Sequence, residues 1–248
     1  MKITTWNCNG ALRRKLDVVD NLNSDILIIQ ECEDPTKSTN AYKNWASNFI
    51  WEGENKNKGI GIFAKQGIKL KRLDWNSSFT LNLSFSPQNP KLTWNTKELR
   101  QFIPFTINDQ ILCLAVWTKG SPNEVFGYMG QFWKLLQIHK EQLSADNVLI
   151  MGDFNSNKVW DKPDRWWSHS DVIAALEVIG ISSLYHEQNK EFQGEESIPT
   201  FYHQRNISKP YHIDYVFTGR KFTGASLEIG DRDTWIKLSD HIPLTLNL

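Results

Sequence analysis

The sequence lacks an excess of charge of either sign. Its 248 residues include 28 basic and 28 acidic side chains, which give a formal net charge of zero at pH 7. A protein without net charge has no strong overall field that would draw it to nucleic acid or to an anionic membrane. Any binding to a polyanion must therefore depend on a local patch of the surface.

Cysteine and long apolar runs are also scarce. The three cysteines, Cys8, Cys32 and Cys113, are odd in number and show no metal-binding spacing. Each lies in or beside an apolar run, which predicts buried free thiols in a reducing compartment. No signal-peptide core and no run of 18 apolar residues is present, so we expect a cytoplasmic protein without stable membrane association. No pattern points to an obligate protein partner.

The sequence does contain the composition of an ordinary folded protein. Hydrophobic residues make up 40% and charged residues 23% of the chain, which is typical of globular domains. The length suits one large domain or two small ones, with room for a sizeable core. Because no repeat, low-complexity tract or linker divides the chain, we predict a single domain over residues 1–248.

Short apolar runs alternate with a few helical patterns. The predicted strands are Lys2–Trp6, Ile26–Ile29, Gly59–Ala64, Gln101–Ile107, Ile111–Trp117, Asn147–Ile150, His212–Phe217, Ser226–Ile229 and His241–Leu248, with a looser strand from Ile68 to Phe85 and a loop through Pro87 and Pro90. The predicted helices are Arg13–Leu22, Asn40–Phe49, Glu124–Leu143 with Val125 and Met129 on its apolar stripe, and a helix capped by Ser170 and stopped by Gly180. The strand, helix and strand at the start predict a right-handed βαβ-like unit.

Polar side chains follow several predicted strands at the point where each strand ends. These ends are Trp6-Asn7, Gln30-Glu31, Gly152-Asp153-Phe154-Asn155 and Ser239-Asp240-His241. Asp153 and Asn155 are two residues apart, so they share a face if the strand geometry continues. A carboxylate beside a carboxamide can hold a metal, take a proton from water or donate to a phosphoryl oxygen. Taken alone, the stretch is more typical of a strand-end turn, because Asp, Asn and Gly favour turns for local reasons.

Asp214 is the one carboxylate predicted inside a buried strand. Its neighbours Ile213, Tyr215, Val216 and Phe217 are apolar or aromatic. A carboxylate in such surroundings needs a partner, since leaving it unpaired costs several kcal/mol or forces it neutral. Histidine is a natural partner, because a carboxylate on one ring nitrogen fixes which nitrogen faces a substrate.

Taken together, the strand-end motifs resemble those of the endonuclease/exonuclease/phosphatase superfamily. The matching segments, in the family's order, are Trp6-Asn7-Cys8-Asn9-Gly10, Gln30-Glu31, Gly152-Asp153-Phe154-Asn155, Ile213-Asp214-Tyr215 and Ser239-Asp240-His241. Members include apurinic endonucleases, DNase I-like nucleases, deadenylases, inositol polyphosphate 5-phosphatases and sphingomyelinases. The resemblance implies an α/β fold, a four-layer sandwich with two mixed β-sheets packed face to face and flanked by helices. Its active site would collect strand ends at one edge.

The resemblance also implies a role for each site residue. Glu31 would be the principal ligand of Mg²⁺ (or Mn²⁺), assisted by Asn7 and Asp240, and oxygen ligands of this kind suit those ions. The metal would neutralise phosphoryl oxygens and the leaving group. The catalytic residues would be Asp153 as the group that orients or deprotonates water, Asn155 as a phosphate or water holder, His241 as the phosphate-binding group, and Asp214 as the partner of its ring. The implied reaction is in-line hydrolysis of a phosphoester without a covalent intermediate.

The sequence departs from the family pattern at three positions. Where many members carry Asn-x-Tyr or His after the middle strand, this chain has Trp117-Thr118-Lys119, so Lys119 or Thr118 would supply the phosphate contact. His212 stands where relatives often carry Arg, and it either donates to a phosphate when protonated or only packs. Asn9 replaces a carboxylate found in some relatives, which weakens the case for two tightly held metals.

The loop from Ser156 to Ser170 is the best candidate for a substrate contact. Lys158, Lys162 and Arg165 interleave with Trp160, Trp166 and Trp167. Cations for phosphates and aromatic faces for bases are typical of contacts with flexible nucleic acid. The alternative is that the tryptophans clamp the loop onto the sandwich while the charges are solvated. The segment from Pro199 to Arg205 is expected to line the other side of the cleft.

Three functions remain open on the sequence. The first is a divalent-metal-dependent nuclease, a phosphodiesterase acting on DNA or RNA. The second is a phosphatase or phosphodiesterase of a small or lipid-headgroup phosphoester, which the zero net charge allows. The third is a non-catalytic binding module on the same fold. That hypothesis predicts erosion of the catalytic set, yet all of its members are present: Glu31, Asp153, Asn155, Asp214, Asp240 and His241.

Overall fold

The apolar run at residues 148–151 forms a strand with both faces buried. Val148 and Ile150 pack on the helix-covered side of their sheet, whereas Leu149 and Met151 pack between the two sheets. Successive residues of a strand point to opposite faces. A strand that is covered on both sides therefore needs an uninterrupted apolar sequence, and this one occupies the centre of the molecule.

The computed structural model describes residues 1–82, 88–121 and 124–248. Its strands are β1 Lys2–Asn7, β2 Ile26–Cys32, β3 Phe49–Asn55, β4 Lys58–Ala64, β5 Leu70–Arg72, β6 Ser78–Asn82, β7 Lys91–Asn95, β8 Phe102–Ile107, β9 Ile111–Trp117, β10 Val148–Asp153, β11 Ile181–Ser183, β12 Phe201–Tyr202, β13 Pro210–Tyr211, β14 Asp214–Gly219, β15 Ser226–Ile229 and β16 Leu244–Asn247. Its α-helices are α1 Leu16–Asp20, α2 Asn40–Trp45, α3 Met129–Leu143, α4 His169–Val178, α5 Leu184–Asn189 and α6 Arg232–Trp235. Short 3-10 turns cover Leu12–Arg14, Pro35–Lys37, Thr96–Glu98, Lys158–Trp160, His203–Arg205 and Arg220–Phe222.

Two mixed sheets of six strands each form the body of the fold. The first has the order β15-β16-β1-β2-β4-β3, and the second has the order β11-β14-β10-β9-β8-β5. In the first sheet β1 is parallel to β2 and antiparallel to β16. In the second sheet β10 is parallel to β9 and antiparallel to β14. The parallel neighbours β1 and β2 bear out the βαβ-like start.

Three hydrophobic clusters separate four layers. One lies between the sheets and includes Ile28 and Leu149. A second lies under α3 and α4, on the outer face of the second sheet, and includes Phe132 and Phe154. The third lies under α1, α2 and α6, on the outer face of the first sheet, and includes Trp6. The structure thus has the predicted four-layer α/β sandwich.

Several predicted element bounds are wrong. The helix expected from Glu124 begins only at Met129, because Tyr128 has a φ of 50° and ends the preceding turn. Val125 is 66% exposed and takes no part in the core. The helix expected to be capped by Ser170 is capped by Ser168, whose side chain pairs with that of Asp171 in a capping box.

Two other regions also differ from the sequence prediction. The long first helix is replaced by a 3-10 turn and the five-residue α1, since Lys15 between them has a non-helical φ of −126°. The loose strand expected from Ile68 is divided into β5 and β6, and its end at Phe85, like Pro87 in the following loop, lies outside the described residues.

The three cysteines are free and buried, as expected. Within the described ranges, no helix combines the length and the apolar character that a membrane crossing needs. A single domain over residues 1–248 stays a prediction.

Candidate active site

The polar strand ends of the two sheets meet at one edge of the sandwich. In the first sheet Asn7 at the end of β1 pairs with Gln30 of β2. In the second sheet Asp153 at the end of β10 lies between Trp117 of β9 and Asp214 of β14. The Asn7 Nδ2 atom donates to Asp153 Oδ2 at 2.9 Å, so one hydrogen bond joins the two sheets at the site.

The turn at residues 152–155 has a specific backbone requirement. Gly152 has a φ of 150°, and a Cβ atom there would lie 1.9 Å from the carbonyl oxygen of Val116. Only glycine fits this close approach between neighbouring strands. Asn155 follows with a φ of 45°, and its backbone N–H and Nδ2 donate to the two Asp153 oxygens at 2.8 and 2.9 Å. The two side chains therefore meet through a turn, because β10 ends at Asp153 and the strand geometry does not continue to Asn155.

Glu31 projects into the site from a β-bulge. The register of β2 against β4 shifts between Gln30 and Cys32, and Glu31 between them has a φ of 62°. Its Oε1 atom lies 3.4 Å from Asn7 Nδ2, and its Oε2 atom accepts from Lys58 Nζ at 2.5 Å. The Glu31 side chain is 18% exposed, so its carboxylate remains open to solvent at the rim of the site.

Asp240 and Asn9 lie beside Asn7 at the end of β1. Asn9 Nδ2 donates to Asp240 Oδ1 at 3.0 Å, and the Asn9 backbone N–H donates to Asn7 Oδ1 at 3.0 Å. Ser239 Oγ donates to the Asn7 carbonyl at 2.7 Å and accepts from the His241 backbone N–H at 3.1 Å. Ser239 thus couples the position of Asn7 to that of His241.

His241 lies between two carboxylates. Its Nδ1 atom is 2.9 Å from Asp214 Oδ2, and its Nε2 atom is 3.9 Å from Asp153 Oδ2. Thr200 Oγ1 accepts from the Asp214 backbone N–H at 3.0 Å. The Phe201 ring packs against the imidazole with a centroid separation of 4.6 Å. The sequence predicts only that Thr200 and Phe201 line the cleft, because their contacts with β14 and His241 are between distant segments.

Burial and charge shift the pKa values of this cluster. Burial raises the pKa of Asp153 to about 7, although the nearby His241 pulls it down. Burial alone would lower the pKa of His241, but the carboxylates of Asp214 and Asp153 outweigh it and raise that pKa to about 9. Near neutral pH the cluster therefore offers a protonated imidazole beside a carboxyl group poised to exchange a proton.

The donor set suits a hard divalent cation. Glu31 and Asp240 offer carboxylate oxygens. Asn7 lies between them, with its Nδ2 atom toward Glu31 and its Oδ1 atom accepting from the Asn9 backbone N–H. Oxygen donors without thiolate or free imidazole are the set that Mg²⁺ and Mn²⁺ prefer. A tighter group, Asp153, Asp214 and His241, has its ligand atoms within 4.8 Å of one another. In that group the His241 imidazole is already hydrogen-bonded to Asp214. The three side chains therefore form a hydrogen-bonded series and not a free set of metal ligands.

The two candidate phosphate contacts in the Trp117-Thr118-Lys119 segment, Thr118 and Lys119, have different surroundings. The Thr118 side chain is buried, and its hydroxyl donates to the Phe154 carbonyl. Lys119 is half-buried, with Nζ 3.9 Å from the centre of the Trp117 ring. Of the two, only Lys119 has a charge available to a ligand.

The tryptophans of the 156–170 loop divide into two groups. Trp166 and Trp167 pack on Phe126 with centroid separations of 5.7 and 4.3 Å, which matches the clamp hypothesis, and 43% of Trp166 remains exposed. Trp160 instead lies 5.0 Å from the Tyr211 ring and is 45% exposed.

A cavity of about 220 Å³ lies between this loop and the site. Arg165, Trp160 and Trp167 line it together with Asn155. The cavity therefore joins the loop to the candidate site at Asn155.

His212 lies beneath the surface. It is 3% exposed, its Nδ1–H donates to the Ile198 carbonyl at 2.8 Å, and its ring is 4.4 Å from that of Tyr185. Burial lowers the pKa of His212 to about 4. This placement favours packing over the alternative of a protonated phosphate donor.

Comparison with known proteins gives the family and the fold. The model of the Endonuclease/Exonuclease/phosphatase family matches residues 4–241. No curated protein matches the sequence significantly. The structure is similar to a 3′-phosphatase, NExo, from Neisseria, solved with a product DNA hairpin (TM-score 0.68, 21% identity, 100% of this chain and 99% of that one).

Two further solved structures have the same fold. One is an AP endonuclease from Archaeoglobus fulgidus (TM-score 0.64, 16% identity, 100% of this chain and 99% of that one). The other is TDP2 from D. rerio in complex with a single-strand DNA product (TM-score 0.55, 16% identity, 100% and 99%). At these identities the likeness concerns the fold, whereas the family model spans nearly the whole chain. The chain belongs to the endonuclease/exonuclease/phosphatase family, whose members are metal-dependent phosphoester hydrolases.

Proposed function

We propose that this protein is a Mg²⁺- or Mn²⁺-dependent nuclease that hydrolyses phosphodiester bonds in DNA or RNA. The observation that carries the proposal is the position of His241. Asp214 holds its Nδ1 atom, and its Nε2 atom lies 3.9 Å from Asp153. A cationic donor and a carboxylate are thereby held at one edge, where a phosphate and an attacking water can meet.

In this proposal Glu31, Asn7 and Asp240 hold the cation. When bound, the cation neutralises charge on the phosphoryl oxygens and on the leaving group. Asn7 also donates to Asp153, so the same amide links the metal-binding carboxylate to the catalytic one. Asn7 therefore holds the cation-binding residue Glu31 and the catalytic residue Asp153 in a defined position relative to each other.

The remaining residues act on the water and the phosphate. Asp153 orients the attacking water and accepts its proton, and Asn155 fixes both oxygens of that carboxylate. His241 donates its Nε2–H to a phosphoryl oxygen, with Asp214 holding the ring. An acid or base placed in this way contributes roughly 10²–10⁴ to the rate.

Nucleic acid as the substrate is supported by the surface beside this edge. Lys119, Trp160 and Arg165 offer cations and an exposed aromatic face, and Arg165 and Trp160 line the cavity that reaches Asn155. Such a combination suits phosphates and bases of a flexible strand. Two structural relatives were solved with DNA products.

A phosphatase acting on a small or lipid-headgroup phosphoester is the second candidate. The net charge of zero favours it, because nucleic-acid-binding domains commonly carry a basic excess. The same residues would perform the chemistry, so the two candidates differ only in what the rim binds. A non-catalytic module is disfavoured by the intact set of carboxylates and histidine.

A cytoplasmic location and independence from an obligate protein partner or a membrane stay predictions. The buried free thiols of Cys8, Cys32 and Cys113 support a reducing compartment.

The test is hydrolysis of a substrate panel with Mg²⁺ or Mn²⁺. Single- and double-stranded DNA, RNA and small phosphoesters are incubated with the protein and with the His241→Ala and Glu31→Ala variants. We expect cleavage of nucleic acid that chelation and either substitution abolish. Turnover that survives chelator or both substitutions contradicts the mechanism, and turnover of small phosphoesters alone replaces the nuclease by the phosphatase.

A further inference from the structure

An ion pair joins Lys58 to Glu31 in the proposed cation site. Lys58 Nζ donates to Glu31 Oε2 at 2.5 Å, and the Lys58 side chain is 51% exposed. Glu31 is the residue assigned above as principal cation ligand. One of its two oxygens is therefore already paired with a positive charge that the chain itself supplies.

Sheet register fixes the position of Lys58. It opens β4, directly before Gly59, which pairs with Cys32 across the bulge that presents Glu31. A Cβ atom at Gly59 would lie 2.3 Å from the Glu52 carbonyl, so only glycine fits where β4 approaches β3 at this point. The tip of the β3–β4 hairpin is tied to the segment after β2, because the Asp34 N–H donates to the Lys56 carbonyl at 2.9 Å. Lys58 thus faces Glu31 because of the fold.

Two basic side chains of the segment between β1 and β2 are held by other groups. Lys15 Nζ donates to the carbonyls of Gly10 and Leu238 at 3.0 and 2.8 Å. Arg13 pairs with the buried carboxylate of Glu33. In contrast, the half-exposed ammonium of Lys58 ends a flexible four-carbon stem and can leave its partner without losing buried contacts.

We propose that Lys58 is a built-in counterion of Glu31 that a divalent cation must displace in order to bind. Lys58 is then a positioning residue, which neutralises and aims the Glu31 carboxylate before the cation arrives and thereby sets the affinity of the site. The physical basis is that an ammonium and a divalent ion on one carboxylate repel each other at short distance. The proposal rests on the assignment of Glu31 as cation ligand.

The experiment compares Mn²⁺ affinity by titration calorimetry in three variants of the full chain. Lys58→Met removes the charge and keeps the length of the stem. Lys58→Arg keeps the charge. Lys56→Met removes a charge two residues away, from a side chain that is exposed at the hairpin tip. We expect Mn²⁺ to bind about tenfold more tightly to the Lys58→Met variant, and within about twofold of the wild type to the other two.

Unchanged or weaker Mn²⁺ binding in Lys58→Met overturns the proposal. An equal gain in Lys56→Met also overturns it, because the effect would then come from net charge and not from the contact. Since the readout is binding, it is independent of turnover. A wild type that binds Mn²⁺ yet cleaves no phosphoester contradicts the proposed function and leaves the role of Lys58 intact, whereas Mn²⁺ binding unaffected by Glu31→Gln removes the premise of both.

Discussion

Asp214 and His241 form a buried pair in which the carboxylate Oδ2 atom lies 2.9 Å from the imidazole Nδ1 atom. The carboxylate is itself held, because the backbone N–H of its residue donates to Thr200 Oγ1. The pair fixes which nitrogen of His241 is directed toward Asp153. It also keeps the imidazole cationic, since the carboxylate raises the pKa of His241.

Substitution Asp214→Asn tests this relationship. The amide keeps the size of the side chain but removes the charge, so the pKa of His241 falls and the preferred tautomer changes. We expect kcat to drop by roughly 10²–10³. Asp233→Asn, which alters an exposed carboxylate on α6, is the control and keeps full activity. Retained kcat in Asp214→Asn contradicts a catalytic role for the pair.

Substitution Glu31→Gln tests the cation site. The amide halves the number of anionic ligands, so the divalent ion binds more weakly. We expect activity at low Mg²⁺ to fall by about 10²-fold and to recover in part as the Mg²⁺ concentration rises. Glu54→Gln, at an exposed residue paired with Arg100, is the matched control. A loss of activity that no metal concentration relieves indicates that Glu31 acts in another way.

The loop tryptophans are predicted to respond differently to truncation. Trp160→Ala removes an exposed face, so KM for a single-stranded oligonucleotide should rise by about 5- to 100-fold while unfolding is unaffected, as expected for loss of one base stack. Trp167→Ala removes a ring that packs on Phe126 and Gly130, so it should lower the free energy of unfolding by about 3 kcal/mol. Steady-state kinetics and urea unfolding measure the two effects. If the two variants change KM and the free energy of unfolding to the same extent, Trp160 and Trp167 do not have separate roles in substrate contact and loop packing.

Gly152→Ala is predicted to be severely destabilising. The added Cβ would lie 1.9 Å from the Val116 carbonyl, where β9 and β10 run in parallel. Because backbone atoms must move to relieve the clash, we expect a loss of about 3 kcal/mol or more in unfolding free energy. Gly67→Ala isolates the cost of the backbone conformation, since Gly67 has a φ of 88° and open space around it. The Gly67→Ala control should lower the free energy of unfolding by only about 1 kcal/mol.

His212 should make stability sensitive to acid. Burial lowers its pKa to about 4 in the folded protein, whereas an unfolded histidine titrates near 6.5. The unfolded chain therefore binds more protons between these values, so the stabilisation is complete above about pH 6.5 and is lost as pH falls toward 4. The lost contribution is about 3 kcal/mol.

The measurement is urea unfolding at pH 7.5 and pH 4.5. His212→Gln should reduce the difference in unfolding free energy between the two pH values. His203→Gln, at an exposed histidine, should leave that difference unchanged. If both variants behave like the wild type, His212 is not the group that titrates.

The fold class could be predicted from the sequence, and the candidate site residues could be proposed from it. An apolar run such as Val148–Met151 predicts a doubly covered strand, because alternation along a strand is a local property. The order of the polar strand ends then identified the family. Helix starts were predicted less well, since the entry to α3 depends on the conformation of Tyr128, which packing decides and the apolar periodicity does not reveal.

Which side chains meet could be seen only once the fold was known. The bulge at Glu31, the register that brings Lys58 to it, and the support of Asp214 by Thr200 all depend on pairings between distant segments. The sequence also left the roles of Trp160 and Trp167 undivided, because the two residues are chemically alike. Hydrogen-bond register and burial depend on how the whole sandwich packs, so they cannot be predicted from residue type alone.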